Sequence, residues 1–364
     1  MKVLHVYAGP FPSHQGTQMV IGQMLRAQVD AGFHVALRCW GSGPGTVPAG
    51  VDIRRTDRLV GSARTVSGPH WTRLLIGAQM WRDLRHDLSE QWDVVHAHHV
   101  EAPVLARLAG ATRMVHHFHS PMQEELGRYF GGAEGRSSRV GRWIDGLSCR
   151  AGDVTIALSE RGARVAAASG ARRVMQIPPA LPDVSGNGTR FATAHGLEGR
   201  WAVYTGNLDP YQDPHRIVEL ASHGDTNILV VTGDPLSRSI VGRLSRHPNV
   251  RLIHSVDPQV HFDALVFASL ALVPRGQCGG VPVKAFNALA LGTPVVGCTG
   301  AMESLAGVEL CTPSNWVEVV SKLMNSPEKL GCLTVDVARG REAIAAESLA
   351  GRYEALYREL DLPG

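Results

Sequence analysis

Lysine is the scarcest charged residue in this chain: Lys2, Lys284, Lys322 and Lys329 are the only ones in 364 residues. Arginine supplies most of the positive charge. The formal balance is only +3, too small a surplus to argue for nucleic acid as a partner. Cysteine is sparse and scattered: Cys39, Cys149, Cys278, Cys298, Cys311 and Cys332 show no Cys-x-x-Cys spacing. That excludes a zinc ribbon and argues against a disulfide scaffold, and it fits reduced thiols in a cytoplasmic protein. No apolar run reaches the roughly 18 residues of a membrane span. The stretch 1–7 is too short for a signal peptide and leads directly into a strand. No Gly-x-Gly-x-x-Gly fingerprint occurs, and Gly41-Ser-Gly-Pro-Gly45 has the spacing of a loop. No Asp-x-Asp triplet and no short-period repeat is present.

What is present is enough for two cores. The chain is 44% apolar, and its length suits two domains of ordinary size. Short β-branched runs at 3–7, 34–39, 94–98, 114–117 and 154–157 alternate with helical segments at 17–30, 72–89 and 103–108. The rhythm breaks at Ile177-Pro-Pro-Ala-Leu-Pro-Asp-Val-Ser-Gly-Asn-Gly188, a linker composition. It resumes with strands at 201–204, 227–232, 250–254, 264–273 and 294–297, and a long helix at about 343–358 closes the chain. The expectation is α/β: two facing Rossmann-like doubly wound domains with a cleft between them. The boundaries are an acceptor-side domain 1–178, a linker 179–188, a nucleotide-binding domain 189–342 and a C-terminal helix 343–364 that crosses back to the first domain.

The segment from Pro274 to Gly297 carries the most chemistry. An apolar strand runs into Arg275-Gly-Gln-Cys-Gly-Gly-Val-Pro-Val-Lys284. Proline suits the first position of a helix, so Pro282 marks a helix start. The bare backbone of Gly279, Gly280, Val281 and Val283 and the positive helix end make an anion site. Lys284 opposes the helix dipole unless an anion lies between them. A solvated lysine beside a tight turn is the alternative.

This segment resembles the donor-binding signature of retaining glycosyltransferases of the two-Rossmann-domain type, above all glycosyltransferase family 4. There a Glu, seven residues and a second Glu precede Ala-x-Ala-x-Gly-x-Pro-Val-Val. Here Asn287-Ala-Leu-Ala-Leu-Gly-Thr-Pro-Val-Val296 keeps the tail, with Asn287 at the second Glu and Gly279 at the first. A branch with Cys-x-Gly-x-Pro-x-Lys-x-x-Asn matches Cys278, Gly280, Pro282, Lys284 and Asn287. The resemblance implies a nucleotide-diphosphate-sugar donor, with Asn287 on a ribose hydroxyl and Arg275 and Lys284 on the diphosphate. It makes Tyr204-Thr-Gly-Asn-Leu-Asp-Pro-Tyr-Gln-Asp213 the counterpart of Gly-Arg-Leu-x-x-x-Lys. Thr205, Gly206, Asn207 and Gln212 would then line the donor, with Asn207 and Gln212 in place of Arg and Lys. A β-turn at Asp209-Pro210 fits the same residues. Gly233 in Thr232-Gly-Asp-Pro235 would lie near the base.

In the first domain the resemblance points to Gly16 and Thr17 beside the diphosphate and acceptor, although Thr17 also suits a plain helix cap. Met114-Val-His-His-Phe-His-Ser120 makes His119 the counterpart of the active-site histidine that bonds the donor sugar. His98, His99 and Glu101 end the preceding strand and fall on the acceptor side. Alternation sends His116 and His117 to opposite sheet faces, so at least one is a core histidine. No metal is expected at the histidine clusters, since no cysteine or carboxylate spacing accompanies them. No cofactor is expected besides the donor.

The basic stretch Arg54-Arg-Thr-Asp-Arg58, continued by Trp71, Arg73, Trp81 and Arg85, suits either a solvated helix or an anionic membrane surface. The implied activity is retaining, metal-independent transfer of a hexosyl or related group to an unknown acceptor: a sugar, glycolipid or small metabolite. The implied location is cytoplasmic, with peripheral contact at the inner membrane face open. A catalytically silent sugar-nucleotide-binding partner and a nucleotide-sugar epimerase on the same scaffold are the alternatives.

Overall fold

The computed structural model describes residues 1–360 except 14–15, 42, 44, 57–71, 130–134, 236–238, 277–279, 299–301, 304 and 346–347. Two compact units divide the chain: Met1–Ala180, Gly279–Val281 and Glu347–Gly364 in one, Leu181–Cys278 and Pro282–Ala346 in the other.

The first unit runs β1 (Lys2–Pro10), α1 (Gly16–Asp30), β2 (His34–Trp40), β3 (Val51–Arg55), α2 (Thr72–Asp87), β4 (Val94–His98), α3 (Glu101–Ala109), β5 (Met114–Phe118), α4 (Met122–Tyr129), α5 (Arg136–Ala151), β6 (Val154–Ala157), α6 (Glu160–Ala168) and β7 (Val174–Gln176). The second runs α7 (Gly188–His195), β8 (Ala202–Thr205), α8 (His215–His223), β9 (Ile228–Thr232), α9 (Ser239–Leu244), β10 (Val250–His254), α10 (Pro258–Phe267), β11 (Leu270–Val273), α11 (Val283–Ala290), β12 (Val295–Gly297), β13 (Val308–Leu310), α12 (Trp316–Met324) and α13 (Pro327–Ala345). The last helix, α14 (Leu349–Glu359), belongs to the first unit.

Both sheets are wholly parallel, in the orders β3-β2-β1-β4-β5-β6-β7 and β10-β9-β8-β11-β12-β13. Their central strands are buried on both faces because helices cover both. In the first sheet Leu4, Val6, Val95 and Ala97 meet Met80, Leu84 and Ala102 from α2 and α3. On the other face Val3, Val94 and Val115 meet Met24 of α1 and Tyr353, Leu356 and Tyr357 of α14. The strand order reverses at β1/β4 and at β8/β11. Such reversals open a crevice beyond the carboxyl ends of the strands, where ligands of this architecture bind.

Four boundaries differ from expectation. The apolar run 264–273 is not one strand: Asp257 caps α10, whose Pro258 starts a helix through Phe267, and only Leu270–Val273 is extended. A buried helix end and a buried strand share the same apolar composition, so the run alone does not divide them. Pro282 is the cap of α11 rather than its first residue. The linker stops before its glycines, because Asn187 accepts from Arg190 N at 2.9 Å and starts α7 at Gly188. Gly186 and Gly188 are glycine for close approach: a Cβ would come within 2.7 Å of Phe262 O and of Phe267 N on α10. The closing helix is also two helices, α13 ending at Ala345 and α14 starting after its cap Ser348.

Candidate functional site

The expected site residues gather at the two sheet reversals, each within its own unit. In the second unit the loop after β8 and the turn before α11 come together. Lys284, the second residue of α11, lies with Nζ 4.0 Å from the centre of the Tyr204 ring. Gly206 takes φ +113°, and a Cβ there would stand 3.6 Å from Lys284 Nζ. The stem of Lys284 is partly exposed, but its ammonium is buried and has no hydrogen-bond partner among the described residues. Burial, with Arg275 adding repulsion, pushes its pKa down to about 7. Gln212 Oε1 and Asn287 Oδ1 are likewise buried without partners. A buried polar group left unpaired costs about 1–3 kcal/mol, so these atoms describe a site built for a polar ligand: the ammonium suits an anion, and the two amide oxygens suit hydroxyl or N–H donors.

Acidic residues brace these loops. Asp213, itself at φ 54°, accepts from Gly276 N at 2.7 Å and ties the β8 loop to the turn after β11. Asp234, just past Gly233, accepts from Leu208 N at 2.5 Å. Asn207 donates to Asp209 at 2.9 Å, and Tyr204 Oη donates to Asn207 O. Thr205 ends β8, buried. Gly233 lies close to Val256, where a Cβ would stand 3.0 Å from a methyl carbon. Gly280 is buried, and Val281 and Val283 are half-buried. Gly279 and Cys278 lie outside the described residues.

In the first unit, α1 begins at Gly16, so Thr17 lies inside the first turn instead of capping it. His99 holds left-handed backbone at φ 68°, a conformation costly for a residue with a Cβ. Its Nδ1 lies 3.3 Å from Glu101 Oε2 in the first turn of α3. His119 follows β5 and is buried, with Nε2 3.2 Å from His98 Nδ1 and Nδ1 without a partner among the described residues. His98, expected on the acceptor side, is fully buried and uses its other nitrogen on His5, so no ring nitrogen remains for an acceptor. His116 and His117 are both core histidines; His116 faces away from the His117 side of the sheet, and its Nε2 donates to His99 O at 2.9 Å. Burial holds His119 well below the usual imidazole pKa and brings His116 to about 3, so both are neutral.

His96, His98 and His117 bring ring nitrogens within 4.8 Å of one another, close enough to consider a metal. Yet His96 and His98 spend both nitrogens on protein partners, and His117 spends one on His96. Binding an ion would break those bonds, and no carboxylate belongs to the group.

Within the basic stretch at 54–85, Arg54 is neutralised by acids. Arg54 bonds Asp52, Asp87 and Glu90, and Arg38 holds the buried Asp87 at 2.6 Å through two nitrogens. Arg58 and Trp71 lie outside the described residues, as does the side chain of Arg73. α2 keeps Leu75, Trp81, Arg82 and Arg85 exposed, and α5 presents a second exposed basic and apolar surface. Val140, Trp143 and Leu147 are exposed there beside Arg136, Arg139 and Arg142. The one acid of α5, Asp145, is buried and accepts from Met122 N and Gln123 N. No described helix is long and apolar enough to cross a membrane. None of the five described cysteines is in a disulfide.

A family model, Glycosyltransferase Family 4, matches residues 14–183. No curated protein sequence matches the chain. Among solved structures, sucrose-phosphate synthase from Thermosynechococcus elongatus superposes with a TM-score of 0.78 at 16% identity, covering 99% of this chain and 98% of that one. Anabaena HepE in complex with UDP and glucose gives 0.69 at 13%, covering 99% and 98%. WaaG, a glycosyltransferase involved in lipopolysaccharide biosynthesis, gives 0.67 at 13%, covering 98% and 99%. At these identities the likeness establishes the fold of two Rossmann-like domains.

Proposed function

We propose that this chain, whose residues 14–183 match the Glycosyltransferase Family 4 model and whose fold is that of two Rossmann-like domains, is a glycosyltransferase that moves a sugar from a nucleoside diphosphate to an acceptor hydroxyl with retention of configuration. The observation that carries this reading is Lys284: a buried ammonium without an acceptor, at a helix N-terminus, beside a glycine that leaves room for a ligand. A diphosphate supplies the missing charge. As the bond from the sugar to the β-phosphate lengthens, negative charge grows on the leaving group, and the ammonium and helix end stabilise it. The acceptor oxygen enters on the same face and passes its proton to the departing phosphate oxygen. No metal is needed where the protein provides the positive charge. His119, through its open Nδ1, takes a hydroxyl of the donor sugar.

The test is a thermal-shift panel of UDP-, GDP-, ADP- and dTDP-sugars, then transfer in EDTA with the product anomer read by NMR. UDP-glucose leads the panel, since HepE has been crystallised with UDP and glucose. At a hundred times Kd a ligand adds about 2.7 kcal/mol to the folded state. One donor should raise the midpoint, and transfer with retention should survive the chelator. Loss of transfer in EDTA restored by manganese or magnesium would overturn the metal-free mechanism. Binding without turnover would favour a silent sugar-nucleotide-binding partner, a reading supported by Asn207, Gln212 and Asn287, which stand where the resemblance has charged residues.

The acceptor class we favour is a glycolipid met at the inner, cytoplasmic face of a membrane, because α5 joins exposed arginines to an exposed Trp143. Such a face suits anionic headgroups. The protein should co-sediment with phosphatidylglycerol–phosphatidylcholine vesicles and not with phosphatidylcholine alone, and the double variant Arg139→Glu, Trp143→Ser should lose that binding. Equal recovery with both vesicle types would reject the assignment.

A further inference from the structure

Five buried histidines of the first sheet form one hydrogen-bonded chain with Gln28 and Tyr357. On β1, β4, β5 and just past β5, the face that meets α1 and α14 carries His5, His96, His98, His117 and His119. One arm starts at Gln28 Oε1, 2.8 Å from His5 Nε2. It continues from His5 Nδ1 to His98 Nε2 at 3.1 Å, and from His98 Nδ1 to His119 Nε2 at 3.2 Å. The other arm starts at Gln28 Nε2, which donates to Tyr357 Oη at 2.9 Å. It continues to His96 Nδ1 at 2.5 Å, and from His96 Nε2 to His117 Nδ1 at 3.2 Å. The two free ends are His119 Nδ1 and His117 Nε2.

Burial makes all five rings neutral, with His5 brought to about 4 and His117 to about 3. A neutral imidazole has one N–H and one lone pair, so each ring passes its polarity to the next. The Gln28 oxygen requires Nε2–H on His5. His5 Nδ1 then accepts from His98 Nε2–H, and His98 Nδ1 accepts from His119 Nε2–H. His119 Nδ1 is left as a lone pair. Along the other arm Tyr357 accepts from the amide and donates to His96, and His96 and His117 also keep their protons on Nε2. Turning the amide over would reverse every bond and move all five protons to Nδ1.

We infer that Gln28, His5 and His98 are positioning residues that fix the tautomer of His119, so that its Nδ1 meets the sugar as an acceptor. The part about the sugar rests on the proposed role of His119; the relay does not. A relay of this kind explains why a row of unprotonated histidines occupies a core where aliphatic side chains would cost less.

Two-bond proton–nitrogen correlation spectra of protein labelled with [15N]histidine read the tautomers directly, with His119 assigned by its loss in His119→Asn. In the natural protein all five rings should carry the proton on Nε2. Gln28→Met conserves volume and removes both anchors, so His119 should become a mixture of tautomers. Its kcat should fall about tenfold with donor KM little changed, as for lost partners behind a working histidine. Tyr357→Phe cuts only the second arm, so it should release His96 and His117 and leave His119 as it was. Nδ1–H on any of the five in the natural protein, or a His119 unmoved by Gln28→Met, would overturn the relay. A His119 tautomer that follows Gln28 while kcat does not would uphold the relay and overturn the placement of His119 against the sugar.

Discussion

His119→Ala will fold, bind the free nucleoside diphosphate as the natural protein does, and lose transfer by roughly 10²–10³-fold, the range for removing one polar group that acts on developing charge. The ring is buried with one nitrogen tied to His98 and the other open. In the proposed role, its removal takes away a contact to the sugar and none to the nucleotide. A group that acts only on the reacting sugar changes turnover and leaves nucleotide affinity alone. Calorimetry with the diphosphate and a transfer assay on one preparation check both halves. Full activity in the variant would reject the role, and lost diphosphate binding would move His119 to the nucleotide.

Lys284→Ala should weaken nucleoside diphosphate binding by about 1–3 kcal/mol, the worth of a charged hydrogen bond, and leave nucleoside binding unchanged. The pH dependence follows from the depressed pKa. With the folded value about 7 against 10.5 for an ordinary lysine, the unfolded chain holds the extra proton between those values. The ligand-free protein therefore gains stability from this group as pH rises through that window. A bound diphosphate keeps the proton on Nζ. Binding should take up protons and weaken as pH rises above 7. Calorimetry at several pH values in two buffers of different ionisation enthalpy reads both effects. Equal losses for nucleoside and diphosphate, or no proton uptake, would sink the assignment.

The candidate anion site around Lys284 was legible in sequence because it is local. Lys284 follows β11 closely in sequence and sits in the first turn of α11, and a lysine against a helix dipole is an electrostatic anomaly visible in one dimension. Asp213 and Asp234 were missed, since each is an ordinary loop acid until its backbone partner is known. The central strands were legible because they are buried on both faces. The peripheral strands β3, β7 and β13 were not, being short and half-exposed. The relay behind His119 was invisible for a different reason. Its members lie at 5, 28, 96–98, 117–119 and 357, and only the sheet register and the return of α14 bring their ring nitrogens together. His98 looked like an acceptor contact because a strand end is where such contacts sit, and nothing local says that both nitrogens are spent.

The return of α14 also sets an order on the newborn chain. One face of the first sheet is closed by Tyr353, Leu356 and Tyr357, and Tyr357 completes the bonds of Gln28 and His96. Those residues leave the ribosome only after the whole of the second unit. At roughly 5–20 residues per second the interval after β7 is on the order of 10–30 s. During that time Val3, Val94 and Val115 have Met24 of α1 but lack the part of their cover that α14 supplies, while the second unit is being made. The domain made first is thus the one finished last, and its apolar sheet face needs shelter until the final helix arrives.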